Sequence, residues 1–146
     1  MKKFEALTAL LESLENNTPY GEWVIDQTHK GAGEDPKQQP YVRYADTVFQ
    51  LINAVHAFSA DHPEYQLLEA YQKILTDRGL KWNHKVLESA DFEALDDAGV
   101  LAVLMGIVRG ERFCDGAILS ALNKGTIQKG LLRLKQIDEA ADAPPA

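Results

Sequence analysis

The chain has a single cysteine, Cys114, among its 146 residues. An internal disulfide is therefore excluded, and a reducing, cytoplasmic setting is expected. Long apolar runs are also missing, since none approaches the roughly 20 residues needed to cross a bilayer. At the amino end Lys2 and Lys3 resemble the start of an export signal. Glu5 and Glu12 interrupt the apolar segment, however, and no small-residue cleavage site follows, so this segment is expected to be a helix. Positive charge is in deficit: 15 Lys and Arg stand against 22 Asp and Glu, a formal net charge of −7. That balance argues against a generic nucleic-acid binder, and it falls short of the dense negative charge of a DNA mimic.

Patterned reaction motifs are lacking too. His29, His56, His62 and His84 are scattered, with no HExxH and no cysteine pair, so no metal site is assigned. Gly31-Ala32-Gly33 leads to a proline and not to a helix amino terminus, which is the wrong context for cradling phosphate. Ser13, Ser59, Ser89 and Ser120 have no nucleophile-elbow surroundings. Asp96-Asp97 reads as the acidic start of a helix. No catalytic residue and no cofactor follow from these patterns, and the balance is against an enzyme.

What is present is an ordinary globular composition, 45% hydrophobic and 25% charged. Phe4, Leu7, Leu10, Leu11 and Leu14 recur at helical spacing, and Asn16-Asn17-Thr18-Pro19 stops them. EWVIDQ and PYVRY alternate as two short strands on either side of the polar loop THKGAGEDPKQQP, an expected β-ribbon near residues 22–44 that is marginal unless it packs on something larger. Tyr44, Val48, Leu51, Ile52, Val55 and Phe58 share a helix face. Pro63 and Glu64 predict the start of a further helix over 64–78, which Gly79 ends in a left-handed conformation. VLAVLMGIV is apolar nearly all round, as expected of a central helix covered by the others.

Residues 109–137 gather three arginines, the thiol, four glycines and three lysines. Most of that is expected to punctuate helices: Arg109 offsets a helix dipole, Gly110 ends the helix, Asp115 caps AILSAL, Gly125 closes it and Thr126 caps the next. Between 101 and 137 six cations meet two acids, a local balance of +4 against −11 elsewhere. Three sharper alternatives stand beside the punctuation. Cys114 lies near two arginines and a helix start, conditions that favour a thiolate, although no partner base is identifiable. Arg109 and Arg112, three apart, suit an anion, and an internal salt bridge to Asp115 is the plainer expectation. Residues 117–136 have the outline of a helix-turn-helix whose outer face carries Gln128, Lys129 and Arg133.

The arginine pair Arg109 and Arg112, then Phe113, Asp115 and Gly116, the glycine turn at Gly125 and the helix bearing Leu131 and Arg133 together resemble a bacterial family known as domain of unknown function 6508. The resemblance spans about the latter two-thirds of the chain and implies no activity.

The sequence therefore predicts a mainly α bundle of about six helices with a short two-stranded ribbon, residues 1–137 forming one domain and 138–146 a disordered acidic tail. The expected function is that of a protein-interaction module, acting on a protein partner or on a second copy in an inhibitor-like, antitoxin-like or immunity-like role. Arg109, Arg112, Lys129 and Arg133 are the candidate anion- or partner-binding residues, and Trp23, Tyr41 and Trp82 the candidate interface aromatics. DNA binding through residues 117–136 is the alternative, and a small enzyme using Cys114 or the Arg109/Arg112 pair a further one. No membrane association is expected.

Overall fold

Every residue from Gly99 to Val108 is buried, so the all-round apolar segment is indeed the rod about which the other elements pack. In the computed structural model, residues 3–24 and 41–142 are described. They form α1 (Glu5–Thr8), α2 (Leu10–Asn16), β1 (Gly21–Val24), β2 (Tyr41–Tyr44), α3 (Asp46–Asp61), α4 (Leu67–Asp77), α5 (His84–Glu88), α6 (Asp97–Gly110), α7 (Ala117–Asn123) and α8 (Thr126–Asp142). Single 3₁₀ turns lie at Pro63–Tyr65 and Phe92–Ala94. The fold is mainly α with one short antiparallel ribbon, and α6 packs against α3, α4, α5, α7 and α8.

Periodicity explains which faces turn inward. Val48, Leu51, Val55 and Phe58 of α3, Leu67, Tyr71 and Leu75 of α4, and Ile127, Leu131 and Leu134 of α8 are buried in one cluster with α6. The helix expected over 64–78 begins only at Leu67, because Gln66 adopts a left-handed φ of 53° between the 3₁₀ turn and α4. Gly79, at φ 76°, ends α4 as expected.

Of the tail expected to be disordered over 138–146, residues 138–142 are helical and 143–146 lie outside the described residues. Asp138 continues the inward stripe of α8 and is buried, its two oxygens accepting the amides of Lys3 at 3.1 Å and Phe4 at 2.9 Å. These bonds tie the last turns of α8 to the start of α1, and α8 runs on to Asp142. The expected tail boundary at 138 is thus too early. The loop expected at 28–38 lies outside the described residues.

The ribbon pairs Gly21 with Tyr44, Glu22 with Arg43, Trp23 with Val42 and Val24 with Tyr41. Two strands alone are marginal in water. Here Tyr20 is buried in the core, the Ala45 amide donates to the Tyr20 carbonyl at 2.8 Å, and Tyr44 reaches the start of α7, so the ribbon borrows its stability from the helices.

Candidate functional site

The connection from α6 to α7, residues 111–116, is organised by Glu111. Its carboxylate accepts the amides of Gly116 at 2.8 Å and Ile118 at 2.9 Å, and the hydroxyl of Tyr44 at 2.6 Å. The Tyr44 oxygen in turn accepts the Leu119 amide at 3.1 Å. Three of the amides that open α7 are satisfied in this way, with an anion at the positive end of the helix dipole. Burial, and then the bond to Glu111, raise the Tyr44 pKa far above that of an ordinary tyrosine. Asp115 was the expected cap, but Gly116 occupies that position at φ 90° and no side chain caps there directly. Gly110 stays within α6, so the left-handed turn falls at Gly116. The indole of Trp23 lies against Gly116, leaving no room for a Cβ, which would sit 2.5 Å from Trp23 Cζ2.

A cleft of about 240 Å³ opens beside this connection, between α5 and the facing sides of α6 and α7. Small residues leave the space: Gly106 and Gly110, one turn apart on α6, and Ala117 and Ala121, one turn apart on α7. Trp82 forms one wall and is fixed by donating Nε1–H to the Gly106 carbonyl at 2.9 Å. Phe113 stands edge-on to it, with ring centroids 5.6 Å apart. Glu88 also lines the cleft, its side chain only 6% exposed. Glu88 accepts Ser120 Oγ–H and Lys124 Nζ–H, each at 2.6 Å. Burial pushes the Glu88 carboxyl upward, but the bonds from Lys124 and Ser120 outweigh it and hold the group below the ordinary glutamate range.

The sequence-predicted residues do not converge on one site. Arg109 is half-buried in the last turn of α6, Arg112 is exposed in the connection, and neither lines the cleft. Among the described residues no ion pair joins either to Asp115. Lys129 is exposed on α8, while Arg133 is partly buried and donates to the Leu95 carbonyl at 3.3 Å. The outer face of α8 lies between grooves that also carry Glu12 and Glu15 on one side and Asp91 and Glu93 on the other. Cys114 is exposed and lines the cleft, as does His84, a base that sequence spacing did not bring to it. The two make no hydrogen bond. Trp82 is partly buried in the cleft wall, whereas Trp23 and Tyr41 are exposed on the ribbon.

Sequence reasoning missed Glu88 and Glu111. Glu111 acts five and seven positions ahead of its amides, beyond any capping template, and Glu88 meets Ser120 and Lys124 only through tertiary packing. The cleft had a signal in the two small-residue pairs at helical spacing. Among the described residues no group of three His, Cys, Asp or Glu side chains is placed to hold a metal ion, and no helix is long and apolar enough to cross a membrane.

No curated protein and no solved structure matches the chain. The model of a family of unknown function, DUF6508, matches residues 1–140. That range takes in the ribbon and the first helices as well as the carboxyl-terminal motif. With nearly its whole length covered, and with Glu111, Gly116 and the Trp82 cleft all inside the match, the chain belongs to the DUF6508 family.

Proposed function

We propose that this chain is a protein-interaction module whose contact surface is formed by the ribbon and the α6–α7 connection. The observation that carries the reading is the exposure of two large aromatics on firmly held elements: Trp23 is 51% exposed and Phe113 77% exposed. Trp23 is seated on Gly116 of the same connection that bears Phe113, and Tyr41 adds a further exposed ring on the ribbon. Aromatic anchors held in place before contact lose little conformational entropy on binding, and such residues dominate interface energetics.

The partner is a protein of net positive charge, offering an apolar groove to these rings. The formal charge of −7 makes two copies repel as they approach and steers a basic chain inward. DNA binding through residues 117–136 finds less support. In place of a short projecting helix, α8 is a 17-residue helix packed along α1, α2, α6 and α7, with acidic side chains on both flanks. Phosphates approaching Lys129 would meet those carboxylates. A thiol enzyme would need Cys114 and His84 to close on one another, and no hydrogen bond links them.

The test is affinity capture from host lysate with wild type, Trp23→Ala, Phe113→Ala and, as an aromatic control elsewhere on the surface, Phe49→Ala, followed by reconstitution from purified proteins. One basic protein bound by wild type and Phe49→Ala, and weakened about 30-fold or more in the other two, is the expected result. Capture indifferent to Trp23 and Phe113 would overturn the reading. A dimeric mass that those substitutions make monomeric would assign the surface to a second copy instead. Duplex DNA binding that weakens steeply with salt and vanishes in Lys129→Ala/Arg133→Ala would replace the reading altogether.

A further inference from the structure

We propose that the cleft lined by Trp82 and Phe113 is a binding site for a small aromatic amine, with its ring against the two aromatic side chains and its ammonium group directed to Glu88. Size is the first argument. At about 240 Å³ the cleft lies below the roughly 300–1,000 Å³ of pockets that hold drug-sized ligands, so a nucleotide or large coenzyme is excluded and a single ring with a short arm fits. The second is the shaping of the walls. A Cβ at Gly106 would crowd Leu87 at 3.1 Å and Trp82 at 3.3 Å, each of which would have to give by a few tenths of an ångström, whereas a Cβ at Gly110 would meet nothing nearer than Trp82 Nε1 at 4.0 Å. The indole is thus locked at one end of the cleft and left with open space at the other.

Charge is the third argument. Glu88 is a buried carboxylate with one hydrogen bond from a described residue to each oxygen, and a carboxylate offers about four acceptor positions. A ligand ammonium takes one of those remaining, or displaces Lys124, whose side chain is 62% exposed and loses little by returning to water. An anion brought to the same place is repelled by the Glu88 carboxylate and finds no hydrogen-bond donor on it. Phe113 belongs to both this cleft and the protein contact proposed above, whereas Trp23 lies outside the cleft and tells the two apart.

The structure supplies two reporters. In Trp23→Phe, Trp82 is the only tryptophan and its fluorescence reads occupancy directly. Cys114, at the cleft, reports through the rate of its reaction with a chromogenic disulfide. The probes are benzylamine, benzyl alcohol and benzoate. Benzylamine is expected to give a saturable fluorescence change and to slow thiol labelling with the same midpoint, binding at least tenfold more tightly than the alcohol, while benzoate gives no saturation. Ala121→Leu and Gly110→Val, which fill the cleft from opposite walls, are expected to abolish both signals. Glu88→Gln, checked for native circular dichroism, is expected to bring amine and alcohol to equal affinity; if that variant fails to fold, the two filling variants and the three-probe ranking decide. Absence of any saturable signal, equal binding of benzoate, or binding that persists in both filled variants would each overturn the proposal. Protein capture compared between wild type, Trp23→Ala and the Phe49→Ala control is read separately from these results.

Discussion

The Tyr44 hydroxyl donates to the Glu111 carboxylate at 2.6 Å, across 67 residues of sequence, and so fastens the ribbon to the start of α7. Removing either partner leaves the other with unmet hydrogen-bonding groups. Glu111→Ala strands the Gly116 and Ile118 amides together and is expected to cost about 2–3 kcal/mol. Tyr44→Phe leaves the Glu111–amide bonds in place, frees only the Leu119 amide and is expected to cost about 1–2 kcal/mol. Urea denaturation checks the ranking, and a Glu111→Ala protein as stable as wild type would contradict this account of the connection.

The same bond sets an alkaline limit. Burial is the largest cause raising the pKa of Tyr44 and also of Tyr65, followed by the bonds to Glu111 and Asp97 respectively. Each tyrosine therefore stays protonated in the folded protein at pH values where the unfolded chain has lost the proton. Its contribution is complete below the unfolded value of about 10 and is lost as pH rises beyond it. Unfolding free energy measured between pH 8 and 12 is expected to fall from about pH 10, with a shallower decline in Tyr44→Phe and Tyr65→Phe. Identical slopes in all three proteins would refute it.

Two left-handed glycines isolate the Trp23 contact. A Cβ at Gly125, with φ 79°, meets nothing within 4 Å, so Gly125→Ala bears only the backbone cost of about 1–2 kcal/mol. Gly116, with φ 90°, adds a 2.5 Å collision with the indole. Gly116→Ala is expected to be the more destabilising by at least about 1 kcal/mol. Trp23→Ala in the same chain should bring the cost of Gly116→Ala down to that of Gly125→Ala. A double-mutant cycle measured by denaturation reads this coupling directly.

These relationships show what the sequence could and could not convey. The central helix was legible because VLAVLMGIV has no polar face to expose, and the ribbon because its alternation stands between helical periods. The stripes of α3, α4 and α8 were legible for the same reason. Asp138 was misread because an acid beside Glu139 and Asp142 looks solvated. Its place on the Ile127-Leu131-Leu134 stripe was the available clue, and its partners are the amides of Lys3 and Phe4 at the far end of the chain. The expected cap at Asp115 followed a local rule, which a carboxylate arriving from Glu111 displaced. The cleft depends on Glu88, Ser120 and Lys124 meeting across 32 and 36 positions, a distance over which periodicity carries no information.

Asp96 allows its cap and its ion pair to be separated. Its carboxylate accepts the Gly99 amide at 3.0 Å as the N-cap of α6, and receives Nε–H and Nη2–H of Arg78 at 2.8 Å each. The guanidinium is the main reason that the Asp96 pKa is pushed down to about 2, against an ordinary value of 3.8. A depressed carboxyl stabilises the folded protein above its unfolded value and loses that contribution as pH falls through the folded one, so the window here runs from about pH 4 down to about 2. The carboxylate is 56% exposed, and solvent screening keeps the pair to about 1 kcal/mol or less. Asp96→Asn keeps a capping oxygen and loses the charge, so it should cost that amount at pH 7 and nothing further as acid is added. Asp96→Ala loses the cap as well, at about 1 kcal/mol more, and this second increment should persist at pH 2 where the first has gone. Urea titrations of the three proteins at pH 7, 4 and 2 measure both increments. A wild-type advantage over Asp96→Asn that is unchanged at pH 2 would show that the Arg78 pair is not its source.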